Sequence, residues 1–228
     1  MVSPETFNFL KELSANNNRD WFHANKSIYQ TCKGNFINIV ELIIHEVAKF
    51  DNSIAGLDAK DCIFRINRDV RFSKDKSPYK TNFGAFIAPG GRNNGTAGYY
   101  FHVEPGKSFL AGGIYMPPSD ILKAIRQEIY ENIDEFKSIV EDETFKSHFN
   151  TIEAEKLKTK PKGFPAEFVG LEYLKFKHYT VVKNIQDKKV LSFDFLDDIR
   201  TVFKALYPFN RFLNYSINNL RAANGSPS

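Results

Sequence analysis

Cysteine is scarce in this chain. Cys32 and Cys62 are the only two among 228 residues. They match no metal-ligand spacing and cannot build a framework of bridges, so reduced, buried thiols in a cytoplasmic protein are expected. Long apolar runs are missing as well. No stretch approaches the roughly 18 residues a membrane span requires, and the acidic Glu5 and Glu12 with no apolar run behind them do not read as a signal peptide. A partner in the membrane is not expected. There is no G-x-x-x-x-G-K phosphate loop, no dinucleotide fingerprint, no Cys-x-x-Cys and no His-Glu-x-x-His, which argues against a nucleotide loop, a zinc site or any other bound cofactor. No Ser sits in a strand–turn–helix elbow, so serine nucleophile chemistry lacks support. Internal repeats and long linkers are absent too.

Phenylalanine is plentiful, at 22 residues, so the core can be large. The net charge is only +4, but it is unevenly placed. Lys60–Lys80 carries seven cations against three anions, and Lys156–Lys177 carries six against two. Each segment is therefore +4, and the rest of the chain sums to −4. Localised positive charge of this kind speaks to an anionic partner more than the overall pI does.

The densest stretch is Phe64–Lys80, with six cations and two carboxylates in seventeen residues. Cys62–Ile66 is apolar and rich in β-formers, which predicts a strand. In an extended chain Arg65, Asn67, Asp69 and Arg71 share one face. Phe64, Ile66, Val70 and Phe72 share the other, with Arg68 among them. An unpaired guanidinium buried beside aromatics is costly. Either the strand bulges near Asn67, or Arg68 is paired, with Asp69 and Asp75 the nearest candidates. Ser73–Tyr79 reads as a turn because Pro78 restricts Ser77. Three arginines at three-residue spacing followed by three lysines could surround a phosphate or carboxylate. A solvated, self-paired basic loop explains the same residues.

In chain order, Ser3-Pro4-Glu5 starts a helix that buries Phe7, Leu10 and Leu13. Asn18 starts a second, with Trp21, Phe22, Ile28 and Tyr29 for packing. Phe36, Val40, Ile43, Ile44, Val47 and Phe50 predict a long amphipathic helix on which His45 is structural. Strands are expected over Asn82–Ala88, Gly98–Glu104 and Ser108–Met116. Gly112-Gly113 marks a bulge or a close backbone approach. Pro117-Pro118-Ser119-Asp120 opens a helix, Asn132 with Glu135 caps another, and Glu143–Phe149 is a short third. Lys158–Pro165 is a basic loop. Tyr179–Val182 is a possible fifth strand. Phe193, Leu196, Ile199, Phe203 and Leu206 form a helix, Pro208 starts a last one, and 222–228 is a frayed tail.

On the Gly98–Glu104 strand, Tyr99, Phe101 and Val103 alternate with Tyr100, His102 and Glu104. His102 is the best proton-transfer candidate, and with Glu104 and Asp69 it could ligate a metal. A polar strand face turned to solvent or a helix accounts for the pattern equally. No metal is expected, because a metal-dependent nuclease would need clustered carboxylates. Nucleic acid is a possible partner, since cations alternate with Phe64, Phe72, Tyr79 and Phe83. No RNA-recognition, helix-turn-helix or zinc-finger signature accompanies them.

The Phe64–Lys80 run resembles the signature of a conserved-hypothetical family, domain of unknown function 2461. Asn16-Asn17 with Trp21-Phe22 is similar to its N-terminal block. Tyr100-Phe101-His102-Val103 with Pro105, Gly112-Gly113 and Pro117 is similar to its central hairpin. Lys160-Pro161-Lys162-Gly163-Phe164 and Leu174-Lys175 are similar to its later basic block. The resemblance implies a single α+β domain with no assigned activity.

The expectation is therefore one α+β domain over 1–221, a mainly antiparallel sheet of about five strands flanked by helices from both chain ends. Arg65, Arg68, Arg71, Lys76 and Lys80, joined by Lys160, Lys162 and Lys175, would line a cationic cleft for an anionic small molecule. Asp69 and Asp75 would orient the guanidinium groups, and His102 with Asp69 would supply any proton transfer. The alternatives are a nucleic-acid module on the same surface, or a non-enzymatic scaffold whose arginines are internally paired.

Overall fold

A computed structural model describes residues 1–225; the rest of the expected tail, 226–228, lies outside the described residues. Helices from both ends of the chain accompany one antiparallel sheet in the order β1-β2-β3-β4, formed by Phe83–Ile87, Gly98–Val103, Phe109–Ile114 and Tyr179–Asn184. Among the described residues the sheet has four strands, not five. The missing strand is the one expected over Cys62–Asn67. Its place is taken by isolated antiparallel bridges, Ile63 to Ala85 and Asn67 to Tyr79. Those bridges have different partners, so no ladder can propagate. Of the apolar face expected there, only Ile66 is buried; Phe64 is 40% and Phe72 96% exposed. No helix among the described residues is long and apolar enough to cross a membrane.

The chain folds into two compact units. The first comprises Met1–Asn93, Tyr100–Leu110 and Asn184–Thr201. It opens with α1 (Pro4–Ala15), whose first turn is closed by Thr6 N–H donating to Ser3 Oγ at 3.2 Å. Helix α2 (Arg19–Ala24) starts as expected at Asn18, which accepts from Trp21 N–H at 2.9 Å. Helix α3 (Lys26–Ala48) buries Phe36, Val40, Ile43 and Val47, the stripe that its three- and four-residue spacing demands. The short α4 (Ala59–Cys62) carries the chain into the basic stretch. Phe36 stacks on Phe83 at 5.3 Å and on Phe101 at 5.6 Å, and Phe101 meets Phe195 at 5.8 Å. These rings belong to β1, β2 and the start of the last helix, so the helical stripe and the strand alternation meet in one aromatic core.

The second unit comprises Asn94–Tyr99, Ala111–Lys183 and the chain from Val202 on. Helices α5 (Ser119–Glu131), α6 (Ile133–Val140), α7 (Glu143–His148) and the short α8 (Leu171–Leu174) lie in it. The capping box expected from Asn132 and Glu135 does not form: Asn132 Nδ2 donates to Glu128 Oε1 instead, at 2.7 Å. Phe136 is fully buried, with the rings of Tyr173 and Phe212 each 5.2 Å away. The glycine pair of β3 behaves as its sequence suggested. A Cβ at Gly112 would fall 2.0 Å from Leu206, and one at Gly113 would fall 2.0 Å from the Tyr179 carbonyl oxygen.

A ninth helix, α9 (Asp187–Val190), precedes α10 (Phe195–Ala223), which runs unbroken through Pro208 instead of restarting there. A proline inside a helix costs roughly 3 kcal/mol or more. Phe203, Leu206, Phe209, Phe212, Leu213 and Ile217 are all buried around it. At roughly 1.5–3 kcal/mol each, that stripe outweighs the lost hydrogen bond. Phe193, expected in this stripe, precedes the helix and is 88% exposed. Ala222 and Ala223, expected to fray, are its last turn.

Candidate functional site

The basic stretch lies in the first unit and is pinned at both ends by backbone bonds. Phe64 N–H donates to Gly84 O at 2.9 Å. The chain then leaves β1 and turns back on itself. Arg68 N–H donates to Pro78 O at 2.9 Å, and Lys80 N–H to Ile66 O at 2.8 Å. Within the loop each aspartate caps the residue two ahead. Asp69 Oδ1 accepts from Arg71 N–H, and Asp75 Oδ1 accepts from both the amide and the hydroxyl of Ser77. The Ser77 hydroxyl, the Ser77 amide and the Arg68 guanidinium together hold the Asp75 carboxyl down at about 2.

Each cation has a different fate. Arg68 is the paired guanidinium, and its partner is Asp75 rather than Asp69. Its Nη1 donates to Asp75 Oδ2 at 2.5 Å and to Ser77 O at 3.1 Å. Arg71 lays its fork on Asp69, at 3.0 and 2.7 Å, in the open. Lys76 donates to Val70 O at 3.0 Å. Arg65 is exposed, and no carboxylate among the described residues pairs with it or with Lys80. Lys80 is half-buried, with Nζ 5.2 Å from the Phe64 ring centre. Burial, and then the nearby Arg65, lower its pKa.

A pocket of about 410 Å³ lies beside this loop. Arg68, Asp75, Ser77, Lys80, Thr81 and Asn82 supply most of its polar lining, with Ser14, Asn17 and Tyr79 completing the wall. Arg65, Arg71 and Lys76 are not part of that lining. Thr81, Asn82 and Asn17 were not singled out as site residues from sequence. Neutral polar side chains at a strand start or a helix end have no charge or period to mark them.

Thr81 and Asn82 also touch the polar face of β2. Thr81 Oγ1 donates to Glu104 Oε1 at 2.7 Å, and Asn82 Nδ2 lies 3.4 Å from His102 Nδ1. His102 Nδ1 is 3.0 Å from the Tyr100 hydroxyl, and its Nε2 is 3.3 Å from Glu104 Oε2. Phe109 stacks on the imidazole at 4.4 Å. A carboxylate at Nε2 fixes the ring hydrogen there, which leaves Nδ1 to accept from Tyr100 and Asn82. Burial lowers the His102 pKa against the opposing pull of Glu104. Burial, then Glu104, push Tyr100 up to about 12. Asp69 is engaged by Arg71 instead of joining this ladder. Among the described residues no three His, Cys, Asp or Glu side chains are placed to hold a metal ion.

Lys160, Lys162 and Lys175 belong to the second unit. Lys160 Nζ donates to Phe164 O at 2.9 Å, which closes its own loop. Lys175 pairs with Glu172 at 2.6 Å, and Lys156 reaches the same carboxylate at 3.0 Å. Lys162 is exposed.

One protein-family model matches the chain over residues 5–212, and its description is Conserved hypothetical protein (DUF2461). No curated protein and no solved structure matches.

Proposed function

For a chain that belongs to this conserved hypothetical family, DUF2461, we propose that the pocket beside the basic loop binds a small phosphate-bearing or carboxylate anion. The observation that carries the reading is the state of Lys80. It lines the pocket, is half-buried, and has no carboxylate partner among the described residues to neutralise it. A partly desolvated cation without a counter-ion is costly in the empty protein, and an anion relieves that cost. Arg68 adds positive charge to the same wall; Asp75 and Ser77 take its Nη1 hydrogens and Ser73 Oγ takes one from Nη2 at 3.4 Å, which leaves Nε and the second Nη2 hydrogen as donors. In this reading Asp75 orients Arg68 and Asp69 orients Arg71. His102 orients Asn82, since Tyr100, Asn82 and Glu104 engage both of its nitrogens.

A thermal-shift panel tests the proposal, with phosphate, pyrophosphate, nucleotides, sugar phosphates and a short single-stranded oligonucleotide at low and moderate salt. A ligand at 100 times its dissociation constant stabilises by roughly 2.7 kcal/mol. The expected result is a shift with a small anion that survives added salt and is lost in Lys80→Met. Lys80→Met removes a half-buried charge that no described carboxylate neutralises, so the free protein should be as stable as before or slightly more stable. No shift with any anion would sink the reading in favour of the scaffold, in which Arg68 and Asp75 only lock the loop.

One observation favours a second reading. Phe72 is 96% exposed at the loop tip, with the Arg71 guanidinium 5.8 Å from its ring. An exposed ring beside cations suits stacking on a nucleobase. A shift confined to the oligonucleotide, collapsing as salt rises, would select that reading.

A further inference from the structure

We propose that the anion held in this pocket also carries hydroxyl groups, which donate to oxygens of Ser77, Thr81 and Asn82. The inference rests on the anion-binding reading and narrows its ligand class. It follows from counting which hydrogens are already committed. The Ser77 hydroxyl gives its hydrogen to Asp75 at 2.6 Å, and the Thr81 hydroxyl gives its own to Glu104 at 2.7 Å. Each oxygen keeps lone pairs and has no hydrogen left to offer. The amide nitrogen of Asn82 faces His102 Nδ1, so Oδ1, on the other branch of the amide, remains for the pocket that Asn82 lines. Asn17 gives one amide hydrogen and one lone pair to Tyr79 and keeps one of each, so it favours neither kind of ligand group, and the Ser14 hydroxyl can likewise donate or accept.

The pocket is thus divided. Arg68 and Lys80 bring donors and positive charge. Ser77, Thr81 and Asn82 bring acceptors, and the Asp75 carboxylate stands with them. A bare phosphate satisfies the first group and faces oxygen against oxygen at the second. The volume agrees: about 410 Å³ lies within the roughly 300–1,000 Å³ of small-molecule sites and leaves room for a carbon skeleton beside the anionic group. The polarity of the second group is set from behind. Glu104 takes the Nε2 hydrogen of His102, which makes Nδ1 an acceptor, which in turn draws the Asn82 nitrogen inward. His102 and Glu104 are therefore positioning residues for ligand choice.

The test is titration calorimetry on the full chain with two matched pairs. Glycerol 3-phosphate and propyl phosphate share a phosphate ester and a three-carbon chain; glycerate and propionate share a carboxylate in the same way. In one pair the hydroxylated member should bind roughly tenfold tighter or more, the scale of one or two well-made hydrogen bonds. Which pair responds identifies the anionic group. In Asn82→Ala, Thr81→Val and His102→Phe the ratio within that pair should shrink several-fold while the hydroxyl-free member keeps its affinity. General damage to the fold would instead weaken both members together. Equal binding of both members to the unmodified protein would overturn this inference and leave the anion pocket standing. No binding by either pair, with no shift from pyrophosphate, would overturn the two readings together. Should the variants fail to fold, the ratio in the unmodified protein decides alone.

Discussion

The side-chain amide of Asn17 closes on both backbone groups of Tyr79, donating to its carbonyl oxygen at 2.9 Å and accepting from its N–H at 3.1 Å. A neighbouring strand would make the same pair of bonds. Here one side chain, just beyond the end of α1, replaces that strand and fixes the returning arm of the basic loop. The Tyr79 ring is held too, stacked on Phe22 at 3.9 Å. Register along this arm matters because Asp75, Ser77, Lys80, Thr81 and Asn82 all present themselves to the pocket from it.

Asn17→Ala should therefore be far more harmful than a change at a loop asparagine. It strands two backbone groups of a buried residue, at roughly 1–3 kcal/mol for each left without water. Asn17→Asp should rescue little, since a carboxylate can accept from Tyr79 N–H but has nothing to donate to Tyr79 O. Urea unfolding of the three proteins checks the order, and amide exchange at Tyr79 checks the cause. Stability unchanged in both variants would mean that the clamp is dispensable.

The second unit uses the same device. Asn214 on α10 binds both the N–H and the carbonyl of Ala97, at 2.8 and 3.0 Å. One turn earlier Asn210 accepts from Gly113 N–H and donates to Gly98 O, each at 3.0 Å. None of these contacts could be read from sequence, because a lone asparagine does not reveal which distant backbone it will meet. What could be read was periodic or steric. Tyr99, Phe101 and Val103 point inward as alternation requires, and the stripe on α3 is buried as its spacing requires. The failures share one cause. Cys62–Asn67 has the composition of a strand but exchanges its partner after Phe64, and α10 ignores Pro208 because of what packs around it. Of the two alternatives the sequence leaves for Arg68, a bulge or a pair, the structure has the pair with Asp75, whereas nothing in the sequence marks Thr81 and Asn82, the neutral half of the pocket wall.

Glycine at 113 is required twice over. Its φ is +97°, and a Cβ would sit 2.0 Å from the Tyr179 carbonyl oxygen. Gly163 has a similar φ, +90°, but a Cβ there meets nothing within 4 Å. The two positions separate backbone strain from collision. Gly163→Ala should cost about 1–2 kcal/mol, the price of a left-handed conformation alone. Gly113→Ala should cost that and several kcal/mol more, since backbone rather than a flexible side chain must move. Thermal unfolding of both variants measures the difference, and equal losses would show that β3 and β4 can separate at no cost.

The unfolded chain protonates its histidines near the ordinary value of 6.5. In the folded protein His102 resists through burial, which outweighs the opposing pull of Glu104. His148 resists as well, through burial and through Lys183, whose Nζ lies 2.9 Å from its Nδ1. Both folded pKa values lie below the unfolded ones, so above about 6.5 neither group affects stability. As pH falls below that, the unfolded state binds more protons and stability declines until the folded pKa is passed. The slope is at most about 1.4 kcal/mol per pH unit for each histidine. Asp75 and Asp194, both held at about 2, act in a separate and lower window, losing their contribution only as pH drops below the ordinary carboxylate range. Urea midpoints between pH 7.5 and 5 should therefore fall, and His102→Phe, which keeps a ring against Phe109, should flatten the fall by up to half. An unchanged slope in that variant would mean that the folded protein lets His102 protonate freely, and the fixed orientation of Asn82 would lose its support.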